Sequence, residues 1–190
     1  MSKLNIGVFV GSLRRESFSR KIAKAVAGLL PEDFQSKLVD IGGLSLYNQD
    51  EDTPETTPPA WVVFRQEVKA LDGLLFVTPE YNRSVTPVLK NALDIASRPY
   101  GQNVWSGKPG VLISVSPGQL GAFGAYHHLQ QTMAYLNIIL LNQPEVYISN
   151  VPSLLDAKGE ISNPQTQKFL QTFAAAFAQW VRLFPVKQTN

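Results

Sequence analysis

The feature that most constrains this chain is the alternation of short apolar runs with segments of helical periodicity. The runs "LNIGVFVG" (4–11), "GLLFVT" (73–78) and "GVLISVS" (110–116) carry no charged residue. A run that is apolar on both alternate positions suits a strand covered on both faces, which is the situation of a parallel sheet. Two further strand candidates are "SKLVDI" (36–41) and "PEVYIS" (144–149). Helical segments are predicted over 18–30, 60–71, 86–97, 120–135 and about 165–184. In the first of these, Ile22, Ala25, Val26 and Leu29 recur at helical spacing and should share the buried face. Pro87 falls in the first turn of the third, where proline is tolerated.

Strands that alternate with helices build a parallel sheet with helices on both faces, joined by right-handed crossovers. The expected class is α/β. Five strands in 190 residues most resemble the flavodoxin-like order 2-1-3-4-5, with residues 1–190 as a single domain. The connection 42–59, rich in Pro, Asp and Thr, is expected on the surface.

Composition excludes several classes of function. There is no cysteine, so disulfides, cysteine-ligated iron–sulfur clusters and a thiol nucleophile are out. A net charge of +2, with no lysine-rich face, argues against nucleic acid. No apolar run approaches membrane-spanning length, and the N-terminal stretch is too short for a signal peptide, so a cytoplasmic protein is expected. From Pro109 to Pro144 the chain has no Lys, Arg, Asp or Glu. A neutral segment of that length is expected in the core, against a ligand or against another subunit.

Ligands of open α/β sheets sit beyond the carboxyl ends of the strands, at the topological switch point. Three loops should therefore converge there. The first, "GSLRRESFS" (11–19), lacks both the dinucleotide and the P-loop glycine patterns. Ser12, Ser17, Ser19 and Arg14 supply donors to an anion, and the amides opening the next helix point the same way. That arrangement favours a terminal monophosphate, hence FMN before NAD or FAD. Ser17 equally suits a helix cap, and the arginines a solvated surface. The second loop, "PEYNRS", places Pro79, Glu80, Tyr81, Asn82 and Arg83 at the ligand edge. An aromatic ring and an amide suit a flat heterocycle, although a plain turn would also use them. The third brings Ser116, Gly118, Gly121 and Gly124 to the end of the fourth strand. Glycine amides there suit a ligand edge or simple helix packing. His127 and His128 are adjacent, so on a helix they cannot share one site, and packing roles are expected for both. No metal site is expected.

Taken together, "GSLRRESFSRKIA", "VTPEYNRSVTPVLKNALD" and "GKPGVLISVSPGQLGAFGAYHHLQQ" resemble the NADPH-dependent FMN reductase family, whose members include quinone, chromate and azo-dye reductases. The resemblance implies a flavodoxin-like fold and non-covalent FMN. It implies NADPH or NADH as co-substrate and a small-molecule electron acceptor. Hydride would pass from the nicotinamide to the flavin and on to the acceptor, with no side chain needed as general acid or base. By the same resemblance Ser12, Arg14, Ser17 and Ser19 would hold the phosphate, with Ser19 standing where asparagine is common. Pro79, Glu80, Tyr81 and Asn82 would wrap the isoalloxazine, and Arg83, Ser116 and Gly118 would lie close by. Gly121 and Ala122 replace a frequent glycine pair. A homodimer or homotetramer through the helix 120–136 is implied, with Phe123, Tyr126, Leu129, Met133 and Leu136 facing a partner as well as the sheet.

Three alternatives are weaker. A flavodoxin-type electron carrier would bind FMN without nicotinamide turnover, but such carriers tend to be strongly acidic. A receiver domain needs an acidic pair after the first strand, where Gly11 and Ser12 stand. A Ser/His hydrolase would need a nucleophile motif that is missing.

Overall fold

The computed structural model describes residues 3–184. The ends of the expected 1–190 unit, residues 1–2 and 185–190, lie outside the described residues. The strands are β1 (Leu4–Val10), β2 (Phe34–Leu38), β3 (Gly73–Thr78), β4 (Pro109–Val115), β5 (Ile139–Leu140) and β6 (Val146–Ile148). The helices are α1 (Phe18–Ala27), α2 (Pro59–Lys69), α3 (Pro87–Ala96), α4 (Phe123–Tyr135) and α5 (Pro164–Arg182).

Among the described residues the strands of the sheet pair in parallel, in the order β2-β1-β3-β4-β5, with β6 also on β4. The expected order therefore holds. The fifth position differs from expectation because two short strands share it, so the described sheet has six strands rather than five. β5 pairs with Pro109 and Gly110, and β6 with Ile113 to Val115. Pro144 sits in the gap, and a residue without an N–H cannot continue a ladder. β2 also runs earlier, over 34–38 instead of 36–41, because it is set by pairing of Leu4 with Phe34.

The continuous apolar runs separate into two cores by simple alternation along each strand. Ile6, Val8 and Val10 of β1, with Leu75 and Val77 of β3, face α1 and α5. Phe9, Leu74 and Phe76 face the other way, onto Trp105 and helices α2, α3 and α4. Each fully buried Leu, Ile or Phe contributes about 1.5–3 kcal/mol relative to exposure. α1 is rotated slightly from the expected face. Ser19, Ile22, Ala23 and Val26 are buried, whereas Leu29 lies beyond the helix end and is exposed.

The 42–59 connection is not simply a surface loop. Arg65 of α2 grips Asp52 through two hydrogen bonds of 2.9 and 2.8 Å and donates a third, of 2.9 Å, to the Ile95 carbonyl. The Tyr47 amide donates to Asn91 Oδ1 at 2.8 Å. Among the described residues, no helix is long and apolar enough to cross a membrane.

Candidate functional site

β1, β3 and β4 end at the same sheet edge, and their loops are brought together by close backbone approach. Gly11 follows β1, and its amide donates to the Val77 carbonyl at 2.9 Å. A methyl group on Gly11 would lie 2.8 Å from Thr86 Oγ1 and 2.9 Å from Thr78 Oγ1. Only a residue without a Cβ lets the first loop lie this tightly against the second. Thr86 Oγ1 is buried and has no partner among the described residues.

The first loop is rich in uncommitted donors. Among the described residues, none accepts a hydrogen bond from the backbone amides of residues 12–19. Ser12 and Ser19 are largely buried residues whose hydroxyls carry no hydrogen bond among the described residues, and neither oxygen is fully enclosed. Ser17 does cap α1, its Oγ accepting from the Arg20 amide at 3.2 Å, and its hydroxyl proton remains available. Arg14 and Arg15 are exposed. Amides, hydroxyls and a helix N-terminus gathered in one loop and free to bond outward suit an anion with several oxygens.

The second loop is a tight hairpin. Tyr81 and Ser84 exchange backbone hydrogen bonds of 3.1 and 3.0 Å. Asn82 (φ 50°) and Arg83 (φ 68°) are both left-handed, as a type I′ turn requires. Tyr81, Asn82 and Arg83 are exposed, while Pro79 and Glu80 are half-buried. Glu80 is committed to the protein. Its Oε2 accepts from the Ala125 amide at 3.1 Å, and its Oε1 lies 3.4 Å from Arg83 Nη1.

The third loop enters α4 through Gly121 (φ 58°) and Ala122 (φ 61°), so Ala122 takes a conformation ordinarily left to glycine. Ser114 Oγ donates to the Gly121 carbonyl at 2.6 Å and holds that reversal to the sheet. Ser116 and Gly118 are bonded to each other and to the segment after β6. Ser116 Oγ accepts from the Gly118 amide at 3.0 Å, and the Gly118 carbonyl accepts from Asn150 at 3.1 Å. These two residues tie β4 to the segment after β6.

Tyr126, Leu129, Met133 and Leu136 are buried in this chain's own core, so they cannot also face a partner. The exposed apolar side chains of that region are Leu120, Phe123 and Tyr135. The histidines diverge as expected. His127 Nε2 lies 3.3 Å from Tyr147 Oη, whereas His128 Nδ1 lies 2.9 Å from Ser84 Oγ. Sequence reasoning missed Thr78 and Thr86, single threonines that carry no pattern. It also missed the work done by Gly11, which only the packing shows. Among the described residues, no cluster of His, Cys, Asp or Glu could hold a metal.

The sequence model of the NADPH-dependent FMN reductases matches residues 4–153. The chain belongs to that family. It is 54% identical to a 2-hydroxy-1,4-benzoquinone reductase of a Burkholderia species, over 94% of this chain and 97% of that protein. It is 49% identical to a quinone reductase of Pseudomonas putida, covering 94% and 95% of the two chains. The solved structure of the flavoenzyme NAD(P)H:(acceptor) oxidoreductase FerB from Paracoccus denitrificans superposes with a TM-score of 0.88. That protein is 36% identical, with 95% of this chain and 98% of that one covered. The chain is accordingly an FMN- and NAD(P)H-dependent oxidoreductase of this family.

Proposed function

We propose that this family member reduces quinones, with the three loops at the β1–β3–β4 edge as the FMN site. The carrying observation is the set of unpartnered donors in residues 12–19. A phosphate monoester would take the amides of that loop, the hydroxyls of Ser12, Ser17 and Ser19, and the forked donors of Arg14. Thr86 Oγ1 would find an acceptor at the same edge. Pro79, Glu80, Tyr81, Asn82 and Arg83 would border the ring system through the exposed hairpin, and Ser116 and Gly118 would lie at its far margin.

When bound, FMN would supply the two-electron redox chemistry between NAD(P)H and the acceptor. The protein binds, orients and shields. Asn82 offers both donor and acceptor groups to a ring edge, and the exposed Tyr81 ring offers apolar surface to a flat second substrate. The names of the quinone-reducing relatives support a quinone acceptor. Chromate and azo compounds are further acceptors to assay.

Residues 1–190 are proposed to act as one FMN-binding domain in the cytoplasm, where NAD(P)H is supplied. A homodimer or homotetramer through Leu120, Phe123 and Tyr135 is proposed in place of the buried α4 face. The test is the absorbance spectrum of purified protein before and after anaerobic NADPH. Flavin bands that bleach promptly and return on adding a benzoquinone are expected. Bands that persist until dithionite is added would favour an electron carrier, and a protein that takes up no FMN would overturn the site.

A further inference from the structure

We infer that His128 and Ser84 form a latch that holds the 80–84 hairpin in place, and that His128 is thereby a positioning residue for FMN binding. The inference rests on the reading of residues 80–83 as the border of the flavin ring.

The hairpin has little to hold itself together. Its backbone is closed by the Tyr81–Ser84 pair, with one long, exposed contact of 3.4 Å between Arg83 Nη1 and Glu80 Oε1 beside it, and its central residues are left-handed. Asparagine tolerates that conformation, but arginine does not intrinsically favour it. A two-residue hairpin with exposed side chains is marginal in water. Its order must come from what it docks on.

That surface is the first part of α4. Glu80, just before the pair, accepts from the Ala125 amide at 3.1 Å. Ser84, which ends the pair, shares a hydrogen bond of 2.9 Å with His128 Nδ1. Ala125 and His128 are three residues apart, so both attachments lie on one face of the helix. Gly124 lies against the hairpin as well. A Cβ there would be 2.8 Å from the Arg83 carbonyl oxygen and 2.9 Å from Glu80 Oε2. The hairpin is thus pinned at both ends, with helix backbone pressed against its middle. Glu80 binds backbone, so its attachment survives most changes on α4. The Ser84 attachment depends on one side chain, His128. Neighbouring His127 takes no part, since its ring is engaged by Gln130 and Tyr147.

Hydrogen exchange in the apoprotein and FMN titration would be measured for His128→Ala, Ser84→Ala, the double variant and His128→Asn. Exchange of the Ser84 amide should speed up about 3–10-fold in either alanine variant, the range a single net hydrogen bond supplies. The FMN Kd should rise by a similar factor. The double variant should be no worse than the more affected single variant, because both remove the same bond. His128→Asn, whose amide reaches from near the Nδ1 position, should restore both readouts to within about twofold of wild type, a rescue that loss of packing would not show. Unchanged exchange and affinity in the alanine variants, or effects that add in the double variant, would overturn the latch. Were wild type to bind no FMN, the flavin reading would fail while the exchange result still judged the latch.

Discussion

The Glu80 carboxylate caps α4, accepting a hydrogen bond of 3.1 Å from the Ala125 amide across the boundary between two loops of the site. Ala122, at the cap position, offers no side-chain acceptor of its own. The hairpin and the helix therefore complete each other, and neither is independent of the other.

Glu80→Ala should cost about 1 kcal/mol of stability, the usual loss when a helix cap is removed, and should weaken FMN binding as the hairpin loosens. Glu80→Gln keeps an acceptor and should lie between wild type and alanine. Thermal melts of the apoprotein and FMN titrations check both. Equal FMN affinity in all three would separate the cap from the site.

Arg14→Ala should raise the FMN Kd about 10–100-fold, the loss expected for a charge-assisted contact to a phosphate. Ser19→Ala should cost about 10-fold. The apoprotein melts of both variants should be unchanged within about 0.5 kcal/mol, since Arg14 is exposed and Ser19 Oγ has no partner among the described residues. Affinity for riboflavin, which lacks the phosphate, should be nearly the same in Arg14→Ala as in wild type.

Asp52→Asn should destabilise the fold by about 3 kcal/mol, because it leaves the Arg65 guanidinium in a largely buried position without its counter-charge. The Asp52 side chain is 2% exposed and that of Arg65 13%. Urea denaturation checks this, with a lower midpoint and an unchanged slope expected.

Tyr126 sets an alkaline limit. Burial, reinforced by the charge of Glu145, pushes its pKa from 10.0 up to about 12. The folded form therefore holds a proton that the unfolded chain releases first. The stability due to the neutral phenol is complete below pH 10 and is lost as pH rises towards about 12. Burial likewise pushes the neighbouring Tyr147 phenol up, so Tyr126→Phe should reduce, not abolish, the slope in that part of the profile. Denaturant midpoints measured across the range test it, and an identical alkaline slope in both proteins would refute the assignment.

Much of this protein is decided by local sequence. Uncharged runs specify covered parallel strands, and proline and serine at α1 and α3 specify where helices begin. The order of the sheet follows from alternation of the elements. The donors of residues 11–19 and the "PEYN" turn could be read as a site because their residue types state their chemistry. What the tertiary structure decided depends on distance between segments far apart in the chain. Pro144 does not reveal that two strands share one position, since that is settled by which β4 residues they reach. Glu80 looks like a ligand contact until α4 arrives with a free amide. Thr78 and Thr86 have no pattern along the chain, and the pattern that marks Gly11 and Gly124 does not show what packs against them. Their roles exist only where backbones approach closer than a Cβ allows, and that packing is set by the whole sheet.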